Sequence, residues 1–221
     1  VAERNDALAS PLQVMVIPVT PIEQNASIVA CRATGRAAVV DPGGDVDVLL
    51  QAIERAGATV EKILLTHGHF DHAGGAAELA ERLGGVPIEG PTEKDQFLLD
   101  KLDTAGGSYG IAGLRPVKPD LYLAEGDRIA IGELVFDVYA CPGHTPGHLV
   151  YVEHGAKFVL AGDTLFAGTV GRTDFSYGDG PLLVAGIKRV LMSLGDDFTV
   201  LPGHGSATTI GRERVSNPYL R

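Results

Sequence analysis

The chain predicts an α/β fold in a single domain, and three observations carry that expectation. Its 221 residues suit one large domain better than two ordinary ones. Short β-branched runs alternate with Gly/Pro-rich turns and a few stretches of helical spacing. No internal repeat and no linker interrupts it, so two strand-rich halves read as one body. With 45% hydrophobic and 21% charged residues, the composition is that of a globular protein with a substantial core, which excludes long disorder.

In chain order, residues 14–19, 27–31 and 37–40 predict strands, the last running into the turn Asp41-Pro42-Gly43-Gly44. Residues 46–56 predict a helix, because Val48, Leu49, Ala52, Ile53 and Ala56 recur at near-helical spacing. Ile63-Leu64-Leu65 is a buried strand, and residues 76–83 form a helix closed by Gly84-Gly85. Residues 94–102 look helical, and 106–119 predict a mobile loop at the border of a cleft. Strands return at 134–139, 149–152 and 158–161. A helix at 182–194 precedes the last strand, 198–201, which runs into Pro202-Gly203-His204-Gly205.

The formal charge of −10 argues against nucleic acid or an anionic membrane as partner. An anionic substrate would need local positive charge from metal ions or placed Arg and Lys. No apolar run approaches the roughly 18 residues of a membrane span. Cys31 and Cys141 lie far apart with no C-x-x-C spacing, as small buried residues of a reducing compartment do. Residues 1–6 are polar and lack the apolar stretch of a secretory signal, so the expected location is cytoplasmic.

Chemistry concentrates in Thr66-His67-Gly68-His69-Phe70-Asp71-His72. A lone histidine is ordinarily a surface or hydrogen-bonded core residue. Four ligand-type side chains within six residues, directly after an apolar strand, read instead as metal-binding. His67 and His69 can share one ion across an extended backbone, and Asp71 with His72 can reach a second nearby. Three further segments repeat the pattern of a ligand beside Gly at a strand end: His144 after Pro142-Gly143, Asp163 after Gly162, and His204 after Pro202-Gly203.

Taken in order, these segments resemble the metallo-β-lactamase fold superfamily, with its H-x-H-x-D-H, later His, bridging Asp and final His. The resemblance implies a four-layer αββα sandwich with the site at one edge between two sheets. It implies His67, His69 and His144 on a first metal, Asp71, His72 and His204 on a second, and Asp163 bridging both. Asp71 and Asp163 are the expected catalytic residues, with a metal-bound hydroxide as nucleophile. Two divalent ions are implied, Zn2+ first, with Fe or a mixed Zn/Fe pair as alternatives. His148 reads either as a residue supporting a ligand or as a structural histidine, and His154 as a surface turn residue.

Asp163-Thr164-Leu165-Phe166-Ala167-Gly168 followed by Gly171-Arg172-Thr173-Asp174-Phe175 resembles the glyoxalase II branch. Residues 18–27, 41–45 and 209–220 resemble its short bacterial members. That resemblance implies hydrolysis of S-D-lactoylglutathione, or a related glutathione-linked thioester, to a hydroxy acid and thiol, as in methylglyoxal detoxification. Full-length glyoxalase II enzymes carry a helical C-terminal glutathione-binding domain. Here the sequence past His204 runs only from Gly205 to Arg221, so 1–221 is expected to be one domain without that addition. Arg172 and Asp174 read first as a local ion pair bracing the loop, Asp174 then supporting the site, with Arg172 as the alternative contact for an anionic substrate. Tyr109, Lys118 and Tyr177 lie on candidate cleft loops, Tyr177 being the further candidate for substrate binding. The rival readings are a one-iron persulfide dioxygenase using the counterparts of His67, His144 and Asp163, and a lactonase.

Overall fold

The computed structural model describes residues 10–221 apart from Ala112, with the backbone alone at Ser108. The polar opening segment at 1–6 lies outside the described residues. β1 (Leu12–Val19), β2 (Gln24–Cys31) and β3 (Arg36–Val40) form an antiparallel meander. From β3 the chain crosses through helix α1 (Val46–Ala56) to β4 (Thr59–Leu64), which lies parallel to β3. The short helix α2 (Phe70–Ala73) and α3 (Ala76–Arg82) lead to β5 (Ile88–Glu89), completing a sheet of order β1-β2-β3-β4-β5.

Two helical turns, α4 (Gln96–Leu99) and α5 (Leu102–Ala105), connect to the second sheet. Its strands are β6 (Arg128–Ile131), β7 (Leu134–Ala140), β8 (Leu149–Glu153) and β9 (Phe158–Gly162). A small hairpin of β10 (Leu165–Phe166) and β11 (Thr169–Val170) follows, then helix α6 (Gly180–Val190). β12 (Thr199–Pro202) lies parallel to β9, and β13 (Thr208–Thr209) borders it before helix α7 (Ile210–Ser216). The sheet order is β13-β12-β9-β8-β7-β6.

Side-chain alternation along these strands builds the layers. In β3, Ala37 and Val39 face α1 and α3, packing with Leu49, Ile53 and Leu79. Ala38 and Val40 point the other way, into the seam between the sheets, with Phe136, Val138, Tyr151 and Leu160. In β8, Leu149 and Tyr151 enter that seam while Val150 and Val152 face α6 through Leu183 and Ile187. The result is the expected αββα sandwich. Each fully buried Val or Leu contributes about 1.5–3 kcal/mol, so the seam is a principal source of cohesion. Among the described residues no helix is long and apolar enough to cross a membrane.

The differences from the sequence expectation have local causes. β4 starts at Thr59 rather than Ile63, because Glu61 and Lys62 are satisfied across strands by Arg36 and Glu89, each 2.9 Å away. The helical run at 94–102 is broken: the Val117 N–H takes the Leu99 carbonyl, and the Lys101 N–H bonds back to Leu98. Helix α6 begins at Gly180 because Asp179 accepts from the Leu182 N–H and Pro181 suits the first turn. β5, β6, β10, β11, β13 and α7 were not legible, being short or lacking an apolar run.

Candidate metal centre

Four strand ends deliver the candidate ligands to one edge of the sandwich. β4 runs out through Leu65 and Thr66 into His67, His69, Asp71 and His72. The β7–β8 connection carries His144 and His148, Asp163 directly follows β9, and His204 lies two residues past β12. Backbone bonds lock the ends together: Leu149 N–H to Thr66 O at 2.8 Å, Gly203 N–H to Gly162 O at 2.8 Å, and Asn25 N–H to Gly203 O at 2.7 Å. Gly203 is required by close approach. A Cβ there would stand 2.2 Å from Asp163 Oδ1 and 2.5 Å from His72 Cε1.

His67 Nε2 and His144 Nε2 each lie 3.0 Å from His69 Nδ1. Two nitrogens on one tetrahedral ion with bonds of about 2.0–2.1 Å stand roughly 3.3 Å apart, so this spacing fits an ion. The opposite ring nitrogens are engaged elsewhere. His144 Nδ1–H donates to the Arg172 carbonyl at 2.7 Å, and His69 Nε2 meets the Tyr177 hydroxyl at 2.9 Å. Thr66 Oγ1 donates to Asp41 Oδ2 at 2.7 Å and so accepts from His67 Nδ1–H at 3.0 Å. All three lone pairs therefore face inward.

The second cluster is Asp71, His72 and His204. His204 Nε2 is 3.1 Å from Asp71 Oδ2, and His72 Nε2 is 3.6 Å from the same oxygen. His72 Nδ1–H donates to Asp41 Oδ2 at 2.9 Å, which turns Nε2 toward the site. Asp163 stands between the clusters: Oδ1 is 3.4 Å from His72 Nε2, and Oδ2 is 3.5 Å from His144 Nε2 and 3.8 Å from His204 Nε2. His72 Nε2 and Asp163 Oδ1 are buried without a hydrogen-bond partner. Orphaned acceptors converging this way fit a cation, and the two clusters suit a dinuclear metal site.

Proton affinities divide the clusters. Burial pushes His67, His69 and His144 down, His69 to about 3, where neighbouring His144 adds to the effect. Burial also opposes charge on His72, but the Asp163 and Asp71 carboxylates outweigh it and hold its pKa well above the ordinary histidine value. His204 moves the same way: burial is overcome by its hydrogen bond to Asp71 and by Asp163. Burial would raise Asp163, yet His72 and the other imidazoles hold it far below the usual carboxylate range.

The remaining predicted residues separate. His148 is fully buried, and its Nε2 accepts from the Asp163 N–H at 3.0 Å, so it supports the Asp163 backbone. Arg172 forks onto Asp174 at 2.7 and 2.8 Å and lies 4.6 Å over the Phe175 ring, while its carbonyl holds His144. Asp174 contacts that guanidinium rather than an imidazole. His154 is an exposed turn residue paired with Asp137. A cavity of about 780 Å³ opens beside the clusters, walled by Phe70, Leu98, Tyr109, Phe166, Phe175 and Tyr177, with Lys101 and Arg172 as its cations; Lys118 lies outside it.

The sequence reading missed Asp41 and Asp95. Asp41 had been legible only as the start of a turn, yet its carboxylate joins Thr66 and His72. The available signal was an Asp directly after an apolar strand, as at Asp163.

Residues 19–204 match the metallo-beta-lactamase superfamily. The chain belongs to that superfamily. Hydroxyacylglutathione hydrolase GloC of Haemophilus influenzae is 40% identical over 210 residues, which cover 95% of this chain and 98% of that protein. Two solved members of the metallo-beta-lactamase fold superpose closely. BLEG-1 B3 metallo-beta-lactamase does so with TM-score 0.86 at 34% identity, over 94% of this chain and 99% of that one. The di-iron-bound form of TTHA1623 has TM-score 0.84 at 37% identity, over 93% and 100% respectively. The chain is thus a metallo-hydrolase of the metallo-beta-lactamase superfamily with a glyoxalase II-like relative.

Proposed function

We propose that the protein hydrolyses acyl thioesters of the S-D-lactoylglutathione type to a hydroxy acid and a free thiol. The observation that carries this reading is the completeness of both clusters around Asp163. His67, His69 and His144 would hold one ion, Asp71, His72 and His204 the other, and Asp163 would touch both. Two divalent ions supply Lewis acidity toward a carbonyl and an activated water at neutral pH. The chain's own residues do the rest. Asp41 and the Arg172 carbonyl fix which ring nitrogens face inward, and His148 holds the Asp163 backbone. The aromatic walls exclude water and give the acyl and thiol portions an apolar bed. A thiolate departs without a proton donor, so the ligand carboxylates need not serve as general acids.

The relative named as a hydroxyacylglutathione hydrolase, nearly all of whose length this chain covers, supports the substrate class. A one-iron dioxygenase would need only His67, His144 and Asp163 as ligands, making no use as metal ligands of His69 or of the Asp71–His72–His204 cluster. Zn2+ is the proposed metal, with iron or a mixed pair as the alternatives that the di-iron-bound neighbour keeps open. The test is elemental analysis of the purified protein beside assays with S-lactoylglutathione, glutathione persulfide and a lactone. Two metals per chain with thioester turnover is the expected result. One iron per chain with oxygen uptake on the persulfide would overturn the proposal, as would lactone cleavage without thioesterase activity.

A further inference from the structure

Asp95 is buried beneath the site and belongs to neither cluster. It closes a 3-10 turn, Glu93–Asp95, after Thr92. Its Oδ2 accepts from the Gly68 N–H at 2.9 Å and the Thr145 hydroxyl at 2.7 Å, and its Oδ1 accepts from the Gly147 N–H at 2.6 Å. Gly68 lies between His67 and His69. Thr145 and Gly147 lie between His144 and His148. One carboxylate therefore joins the two loops that carry the three-imidazole cluster, and the Thr92 N–H returns a bond to the Gly147 carbonyl at 3.2 Å.

Both glycines are shaped to this contact. A Cβ on Gly147 would lie 2.6 Å from Asp95 Oδ1, and one on Gly68 would lie 3.0 Å from the Asp95 carbonyl oxygen and 3.2 Å from its Cβ. The partners of Asp95 are two backbone N–H groups and a hydroxyl, none cationic. An unpaired buried carboxylate is an expensive way to join two loops. Its chemical distinction is that it accepts from three donors at once, whereas an amide of the same shape turns two N–H donors toward one of them.

We propose that Asp95 is a positioning residue for the three-imidazole half of the metal centre: it sets the distance between the His67–His69 loop and His144, so that three lone pairs converge on one ion. The proposal rests on the reading of those histidines as ligands. Asp95 touches no reacting atom and no ligand side chain. It acts through the peptide groups on either side of them.

Cobalt binding to metal-free protein tests this, because the ion reports both affinity and geometry through its visible spectrum. Each half is measured alone, the three-imidazole half in a His204→Ala background and the carboxylate half in a His144→Ala background. Asp95→Asn should weaken cobalt at the three-imidazole half by about tenfold to a hundredfold and alter its spectrum, the range typical of groups that orient metal ligands. Binding at the carboxylate half should stay within about twofold. Thr145→Val should give a smaller loss of the same kind, and Thr145→Ser should restore it. If Asp95→Asn does not fold, as read by circular dichroism of the metal-free protein, the Thr145 pair decides. Unchanged affinity and spectrum at the three-imidazole half would overturn the proposal, as would equal losses at both halves in a folded variant. If His67→Ala retained the full cobalt complement, the ligand assignment itself would fail, a result separable from the role of Asp95.

Discussion

The two halves of the candidate metal centre use the same side chain in opposite electrostatic settings. Around His67, His69 and His144 burial outweighs the nearby carboxylates and leaves the rings neutral, with His69 at about 3. His72 and His204 face Asp71 as well as Asp163, and those carboxylates hold their protons to higher pH against the same burial. One half is a set of neutral donors. The other is an ion-paired network that a cation must displace. An imidazole's readiness to bind metal is therefore set by the carboxylates around it rather than by its own identity.

The largest effect should come from the residue the halves share. Asp163→Ala is expected to reduce thioester hydrolysis to the uncatalysed background and to lower metal content in both halves, measured by steady-state assay and elemental analysis. Retained turnover would break the picture of a common centre. Next, His67→Ala and His72→Ala should each remove about one metal per chain and most activity, but from different halves. Loss of both metals in either variant would show that the halves fill cooperatively, and loss of neither would remove them as ligands.

A pH series sharpens the contrast. The pKa values of His72 and His204 are raised above the ordinary histidine value, so falling pH adds protons as competitors to that half first. His69, at about 3, stays deprotonated throughout. Equilibrium dialysis from pH 8 to 6 should thus deplete the carboxylate half in a His144→Ala background while a His204→Ala background keeps its ion. Equal release would contradict the sign of these shifts. The smallest change should follow Tyr177→Phe, which removes the hydroxyl at His69 Nε2 and leaves the cavity wall. A loss of about tenfold or less in metal affinity at the three-imidazole half is expected by chelator competition. A larger loss would show that this hydroxyl governs the ring's orientation.

The sequence by itself determined a good deal, and for local reasons. Helix α1 was legible residue for residue because its apolar positions keep helical spacing over 46–56. The alternating and continuous apolar runs of β2, β3, β8 and β9 marked strands buried on both faces. The histidine-rich segment declared metal chemistry because four ligand types fall within six residues, and Gly beside His144, Asp163 and His204 marked backbone that must turn tightly.

Tertiary structure alone decided the rest. Which nitrogens of His67, His72 and His144 face inward depends on Thr66, Asp41 and the Arg172 carbonyl, and Thr66 is itself held by Asp41 from 25 positions away. Arg172 and Asp174 pair locally, as their spacing suggested, yet the part of Arg172 that reaches a candidate ligand is its backbone carbonyl, which no side-chain pattern announces. Asp95 looked like one polar position in a helical run, and its burial against two loops is a property of packing. Ligand identity is written in residue type and local spacing; ligand orientation also depends on hydrogen bonds between segments distant in sequence, such as Asp41 to Thr66 across 25 positions and Asp41 to His72 across 31, which exist only once the fold has closed.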